Sequence, residues 1–237
     1  MHRQASSYNL TNWLIKMATK TIRPRLGSRR QPEQSRATIL QAAIREFAQR
    51  GMAGARTDAI AHAAKVNKAL LYYYFRDKET LYGAALDHAF GQMGQHLLEV
   101  LDRNLPPREH VLTYVGAYFD YIASHQFNRD LVQMEMMRAG HGSPHLKRIA
   151  KVYFQPLFRR LSELIREGIA AGEFRPVNPM QFVPSMVALV LFYFVNAPVL
   201  KTVAGFDPLS AERIAERRAA VLDFISAALF MPAGARR

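Results

Sequence analysis

Residues 35–81 read SRATILQAAIREFAQRGMAGARTDAIAHAAKVNKALLYYYFRDKETL, and their spacing decides the fold. Ile39, Leu40, Ala43, Ile44 and Phe47 recur at the three-and-four spacing of one helix face, and Gly51 follows as a left-handed terminator. Thr57 is placed to cap a short second helix whose Ile60, Ala61 and Ala64 face inward. Lys65, Val66 and Asn67 then make a turn of about three residues, the length that joins the two helices of a helix-turn-helix. Asn67 caps a third helix over 68–74, and Asp77 caps a fourth that begins at Lys78.

The third helix has an unusual surface for its length. Lys68, Leu70, Tyr72, Tyr73 and Tyr74 surround one inward anchor, Leu71, backed by Phe75. Tyrosine joins a rigid apolar ring to a terminal hydroxyl, which suits thymine methyls and phosphate oxygens. Aromatics at helical spacing also build cores, and Tyr73 fits either reading, whereas Lys68 and Tyr72, a turn apart, are expected at the surface. At Lys78, free backbone N–H groups and a lysine meet at a helix N-terminus, an arrangement that holds phosphate.

From Thr57 through Ile60-Ala61, Ala63-Ala64, Val66, Leu71–Phe75 and Lys78 to Leu81, the chain resembles the DNA-binding domain of the TetR family of bacterial transcriptional regulators. The likeness is close over about 47 residues and extends to the rest only as helical layout. It implies DNA contacts at Thr57, Asn67, Lys68, Ala69, Leu70, Tyr72, Tyr73, Tyr74 and Lys78. Lys68, Tyr72 and Tyr73 are expected in the major groove, and Thr57, Tyr74 and Lys78 at phosphates. Two departures from the family pattern matter. Asn67 stands where Ser is common and keeps the cap; Ala69 and Leu70 stand where small residues or Thr are common, and Leu70 reads only an apolar feature such as a thymine methyl.

The charge distribution agrees with that expectation. Residues 1–34 hold seven Lys/Arg and one acid, 35–82 hold eight and four, and the remainder seventeen and fourteen, within a formal net charge of +13. A protein meeting a polyanion with its N-terminal third shows such a gradient, and an enzyme for small acids has no need of it. Residues 1–34 read as a basic flexible arm. Ile22–Arg30, IRPRLGSRR, suits phosphates or a minor groove and equally a solubilising tail. Translation from Met17 is a further reading of this end.

With no cysteine among 237 residues, disulfide and thiolate chemistry are excluded and a reducing cytoplasm is the expected home. The N-terminus lacks the continuous apolar core and cleavage site of a signal peptide. Residues 180–200, MQFVPSMVALVLFYFVNAPVL, form the strongest apolar run. Gln181, Pro184, Asn196 and Pro198 interrupt it, so it is expected as a buried or dimer-forming helix and not a membrane span.

Beyond Leu81 only helices are expected. The fourth runs from Lys78 to about Arg103, the fifth over about 107–124, the sixth over about 128–139 and the seventh over about 145–171, stopped by Gly172. Asn178-Pro179 opens the eighth, and Asp207-Pro208 repeats that device before the ninth. The expectation is an all-α chain of about nine helices: a helix-turn-helix domain over 35–82, then a ligand-binding and dimerisation bundle over 83–237. Ile214, Val221, Leu222, Ile225, Ala228 and Leu229 stripe the ninth helix, and the eighth is apolar nearly all round. The resemblance implies a homodimer through these two helices, an inverted-repeat double-stranded operator, and a pocket between the middle helices that controls the spacing of the DNA-reading helices.

The bundle carries a surplus of Met, Phe and Tyr, as cores do. Tyr114, Tyr118, Tyr121, Met134, Met137, Phe154, Phe192, Tyr193 and Asn196 are the candidate lining of a cavity for a small, uncharged or weakly polar effector. No catalytic constellation, phosphate loop or metal-spaced cluster is present in the sequence, so neither an enzyme nor a cofactor is expected. Glu135, His141 and His145 are near in sequence, but Gly142-Ser143-Pro144 makes a loop where a metal site needs a helix face. The competing reading is a TetR-like protein that binds a lipid or protein partner and has lost operator binding; Lys68, Tyr72, Lys78 and the charge gradient argue against it.

Overall fold

The computed structural model describes residues 32–139 and 143–232, and the expected arm up to residue 31, its Ile22–Arg30 segment and His141 lie outside them. Ten helices cover the described residues, with no strand beyond one isolated bridge between Phe174 and Phe230. They are α1 (Pro32–Gly54), α2 (Thr57–Ala63), α3 (Lys68–Tyr74), α4 (Lys78–Leu101), α5 (Pro107–Ser124), α6 (Gln126–Ala139), α7 (146–170), α8 (Pro179–Val195), α9 (Ala197–Ala204) and α10 (Ala211–Leu229). The all-α expectation holds. Two boundaries differ: Pro32, Glu33 and Gln34 belong to α1 and not to an arm, and the run over 180–200, expected as one helix, breaks after Val195 into α8 and the short α9.

Helix α1 buries the expected Ile39, Leu40, Ala43, Ile44 and Phe47. At Gly51 the backbone turns to φ 65°, ψ 174°, kinking α1 before its last turn; a side chain at that φ is strained, so glycine fits there. The Glu46 carboxylate accepts from the Arg56 backbone N–H at 3.1 Å and steers the chain into α2.

Helix α4 is the longest continuous α-helix, and at about 1.5 Å per residue its 24 residues span about 36 Å. It buries Leu81, Tyr82, Leu86, Phe90 and Leu97 among others. Tyr82 meets Phe47 of α1 edge to face at 4.9 Å, and its hydroxyl donates to Glu135 of α6 at 2.9 Å. The Ser143 hydroxyl donates to the other Glu135 oxygen, and Arg138 lies 3.7 Å away. His145 Nε2 and Glu79 Oε1, 2.8 Å apart, join the start of α7 to the first turn of α4.

Helix α7 is not regular throughout. Leu146–Ile149 is α-helical, Ala150–Phe154 forms a π-turn, and Gln155–Ala170 resumes the α-helix up to Gly172 at φ 71°. The π-turn lets Tyr153 donate to Asp87 of α4 at 2.9 Å while the next residue, Phe154, packs edge-on against Phe90 at 5.3 Å.

Asn178 caps α8 as expected, its Oδ1 accepting from Met180 at 2.9 Å. The expected opening of the last helix at Asp207-Pro208 is corrected. Asp207 instead closes a turn, accepting from Leu209 and Ser210, and Ser210 caps α10 through Arg213. The Asp207 side chain bonds its own backbone two residues on, which takes it out of service as a helix cap. Arg218 of α10 holds Asp120 of α5 through two bonds of 2.8 and 3.0 Å. No single helix among the described residues is long and apolar enough to cross a membrane; α8 and α9 reach that only together and are bent by 64°.

Burial raises the phenol pKa of Tyr82 and Tyr153, each to about 12, and pushes those of Tyr114 and Tyr118 higher still. The fold therefore favours their neutral forms. That contribution is complete below the unfolded value near 10 and is lost as pH rises through the folded values. The thermal midpoint followed by circular dichroism is expected to fall above about pH 10, with tyrosinate absorbance appearing as the fold is lost. A midpoint level to about pH 11.5 would contradict this burial.

Candidate nucleic-acid interface and buried cavity

Helix α3 is placed by two local devices. The α2 to α3 turn passes through Lys65 at φ 55°, the only positive-φ residue other than glycine among the described residues. There the N–H groups of Lys65 and Val66 bond back to His62 and Ala61 at 3.0 Å, closing α2. Asn67 then caps α3 as expected, its Oδ1 accepting from Leu70 at 2.7 Å. Leu71 is fully buried and Phe75 nearly so, which pins α3 by one face. Arg36 of α1 covers the Phe75 ring at 5.4 Å.

The outward face carries most of the residues read from sequence. Asn67, Lys68, Ala69, Tyr72 and Tyr73 are exposed, and Leu70 is half-buried. Tyr73 is the freest at 69% exposure, which resolves its two readings in favour of the surface. Lys68 pairs with Asp58 of α2 at 2.8 Å. That hydrogen bond holds the Asp58 carboxyl below its ordinary range and the Lys68 ammonium above its own. Because both groups are solvated, a stronger anion can compete for Lys68. The Tyr72 and Thr57 hydroxyls lie 3.2 Å apart, linking the middle of α3 to the start of α2.

Three expectations change in detail. Thr57 is the first residue of α2 and not its cap; Arg56 occupies the cap position without a side-chain bond. The Tyr74 hydroxyl is buried without a hydrogen-bond partner, and its ring lies edge-on to Tyr73 at 5.3 Å, so as folded it offers nothing to a phosphate. Lys78 donates to the Ala53 carbonyl at 3.1 Å, which ties α4 to the end of α1 and leaves two of its N–H donors for other partners. Asp77 caps α4 through Thr80 at 2.7 Å. Sequence reading passed over Arg56 and Arg76, both exposed on this surface. Their positions beside the Thr57 start and the Asp77 cap were the available signal.

A cavity of about 280 Å³ lies between α4, α5, α6, α7 and α8. Of the nine expected lining residues, Tyr114, Tyr118 and Phe154 line it. The other six do not. Tyr121 stacks between His96 and His125, at 5.8 and 4.1 Å, and accepts from Asn128. Met134 faces Gly51 of α1, and Met137 is 71% exposed. Phe192 is largely exposed, Tyr193 donates to the Pro208 carbonyl at 2.8 Å, and Asn196 donates to Phe192 at the end of α8. The cause is helical phase. Val183, Val187 and Leu191 turn into the cavity at a spacing of four, which carries 192, 193 and 196 away from it. Met136 of α6, one of the surplus methionines, also lines it, as do Met93 and Leu97 of α4, which sequence reading missed and whose spacing of four within α4 was the signal.

Two family models match the chain: "Bacterial regulatory proteins, tetR family" over residues 39–85, and "Tetracyclin repressor-like, C-terminal domain" over residues 107–225. The chain belongs to the TetR family. This TetR-family protein is 27% identical over 201 residues to the transcriptional repressor SCO4008 of Streptomyces coelicolor, covering 79% of this chain and 98% of that one. It is 26% identical to the repressor NicS of Pseudomonas putida over 75% of this chain and 84% of that one. Among solved structures, a transcriptional regulator from Saccharomonospora viridis in complex with choline shares the fold, with a TM-score of 0.69 at 18% identity over 84% of this chain and 99% of that one. The regulator SCO4942 of Streptomyces coelicolor matches with a TM-score of 0.57 at 26% identity, over 81% and 97% of the two chains. The chain is thus a helix-turn-helix transcriptional regulator, and α3 is the second helix of the motif.

Replacing the Asn67 cap by alanine is expected to cost about 1 kcal/mol of stability in urea unfolding and to weaken DNA binding along with it. An Asn67→Ser variant is expected to keep both. Equal losses in the two variants would show that the side-chain cap does not set α3.

Proposed function

We propose that this TetR-family protein is a homodimeric repressor that leaves an inverted-repeat operator when a small hydrophobic molecule occupies the cavity. One observation carries the reading: Lys78 begins α4 beside α3, and Met93 and Leu97 of the same helix wall the cavity. A ligand that fits one tilt of α4 better than another biases the helix-turn-helix by its difference in affinity for the two.

The dimer is supported by uncovered apolar surface. Of eleven large hydrophobics exposed among the described residues, seven fall between Met180 and Phe224: Met180, Phe192, Val199, Val203, Phe206, Leu209 and Phe224. Side chains of that kind, grouped on α8, α9, α10 and the turn between α9 and α10, mark an association surface. A twofold pair through them carries two recognition helices, which demands half-sites about 34 Å or a multiple apart. The choline in the Saccharomonospora viridis regulator supports small-molecule binding by proteins of this fold.

At the DNA, Lys68, Tyr72 and Tyr73 face the major groove, with Ala69 and Leu70 against thymine methyls. Asn67 holds the start of α3, and Thr57 and Lys78 take phosphates. Fluorescence anisotropy with duplex DNA from the region beside the gene, in excess unrelated duplex, tests the reading. Tight, salt-sensitive binding that survives the competitor is expected. Tyr73→Ala is expected to cost about 1–3 kcal/mol on that DNA and much less on unrelated duplex. Lys78→Ala is expected to weaken binding to all duplexes alike and lower the salt slope by about one unit. Binding that the competitor removes entirely would count against operator recognition.

A further inference from the structure

Two hydroxyls inside the cavity have no partner. Tyr114 and Tyr118 stand one helical turn apart on α5, are 3% and 6% exposed, and both line the cavity. Neither hydroxyl makes a hydrogen bond among the described residues, and burial is the largest cause of the upward shift of each phenol, with Tyr118 adding to that of Tyr114. Both are therefore neutral at physiological pH, each with one O–H to give and lone pairs to receive. Elsewhere in this bundle the buried tyrosine Tyr82 has found an acceptor on Glu135. The two hydroxyls are not among the fully enclosed atoms that lack a partner, so they keep access to the cavity, and two adjacent unpartnered hydroxyls in an otherwise apolar lining suit a ligand that brings a hydrogen-bonding group.

The rest of the wall decides what else the occupant carries. It is aliphatic, aromatic or thioether, as at Met93, Phe154, Leu157 and Val187, and no carboxylate, ammonium, guanidinium or imidazole among the described residues reaches it. A charge buried there has no counter-charge, and desolvating it costs far more than desolvating a carbonyl. At about 280 Å³ the space sits at the small end of ligand pockets, so the body is compact.

We propose that the cavity takes an uncharged, mainly apolar molecule carrying one hydrogen-bonding oxygen, a ketone, ester or alcohol, held between the hydroxyls of Tyr114 and Tyr118. This rests on the cavity being the effector site, but the two can fail separately. The hydroxyl pair distinguishes an oxygenated molecule from a hydrocarbon of the same shape. The bare wall rejects carboxylates and ammonium ions.

Calorimetric titration of the full chain tests it with two series, each on one body. The first is 2-acetonaphthone, naphthalene, 2-naphthoate and (2-naphthylmethyl)ammonium; the second is 2-octanone, octane, octanoate and octylammonium. In at least one series the ketone is expected to bind at least tenfold more tightly than the other three. The Tyr114→Phe/Tyr118→Phe double variant is expected to erase that advantage while leaving hydrocarbon binding unchanged. A carboxylate or ammonium binding as tightly as its ketone overturns the proposal, as does a ketone advantage that survives the double variant, or no ketone binding in either series. If the double variant does not fold, the ranking in the unaltered chain and the Tyr118→Phe single variant decide in the same way. A ketone that binds with the expected ranking yet leaves operator affinity unchanged supports this cavity chemistry and refutes the effector role alone.

Discussion

Glu135 carries a fully buried carboxylate where α6 crosses α4, and three groups answer it: the Tyr82 hydroxyl, the Ser143 hydroxyl and the Arg138 guanidinium. A buried carboxylate is tolerated only while its partners stay in reach, and removing one partner from such a group typically costs about 3–5 kcal/mol. The register of α6 on α4 is thereby fixed. Tyr82 also packs edge-on to Phe47, so the same residue fixes α1, and α1 carries α2 and α3 through Glu46 and the buried face of Phe47 and Ile44. Polar satisfaction at one point thus sets the position of α3 relative to the bundle.

The two ends of this arrangement have opposite physical characters. Around α3 the groups are solvated and weakly committed: Lys68 rests on Asp58, Tyr72 on Thr57, and Tyr73 is largely open to solvent. Such contacts are weak, because screened surface pairs contribute little, which is what the proposed exchange for phosphate and base edges requires. Around the cavity the groups are apolar and mostly buried, apart from the two tyrosine hydroxyls. Helix α4 runs through both, and α7 braces it at Asp87 through Tyr153 and Arg148, next to the π-turn that sends Phe154 into the cavity. Proteins place such π-turns at functional sites often enough that this one fits a role in transmission.

Sequence alone disclosed whatever depends on neighbours a few residues apart. The Asn67, Asp77 and Asn178 caps, the α1 face, the exposed Lys68 and Tyr72 and the Leu71 anchor are all set by short-range spacing. Features that depend on long-range contact were not legible. Lys78 reaches Ala53 across 25 residues, and nothing in the local sequence announces that bond. The Tyr74 hydroxyl is covered by the fold and not by its own helix turn. The cavity was misjudged because residues were gathered by type, while the wall is chosen by phase: Met134 and Met137 flank Met136 on the same helix, yet only Met136 lines the space.

The central claim, that cavity occupancy moves paired recognition helices through α4, can be measured directly because the chain has no cysteine. Ala63 is exposed on α2, beside but not within the proposed DNA surface. An Ala63→Cys variant therefore carries one spin label per protomer, and electron–electron dipolar spectroscopy reads the distance between the two heads. On operator DNA the account predicts one narrow distribution at a separation of about one DNA turn or more, ~34 Å or greater, that shifts when a cavity-binding ketone is added. Absence of dipolar modulation, or a distribution that the ketone leaves unmoved while it occupies the cavity, would contradict it.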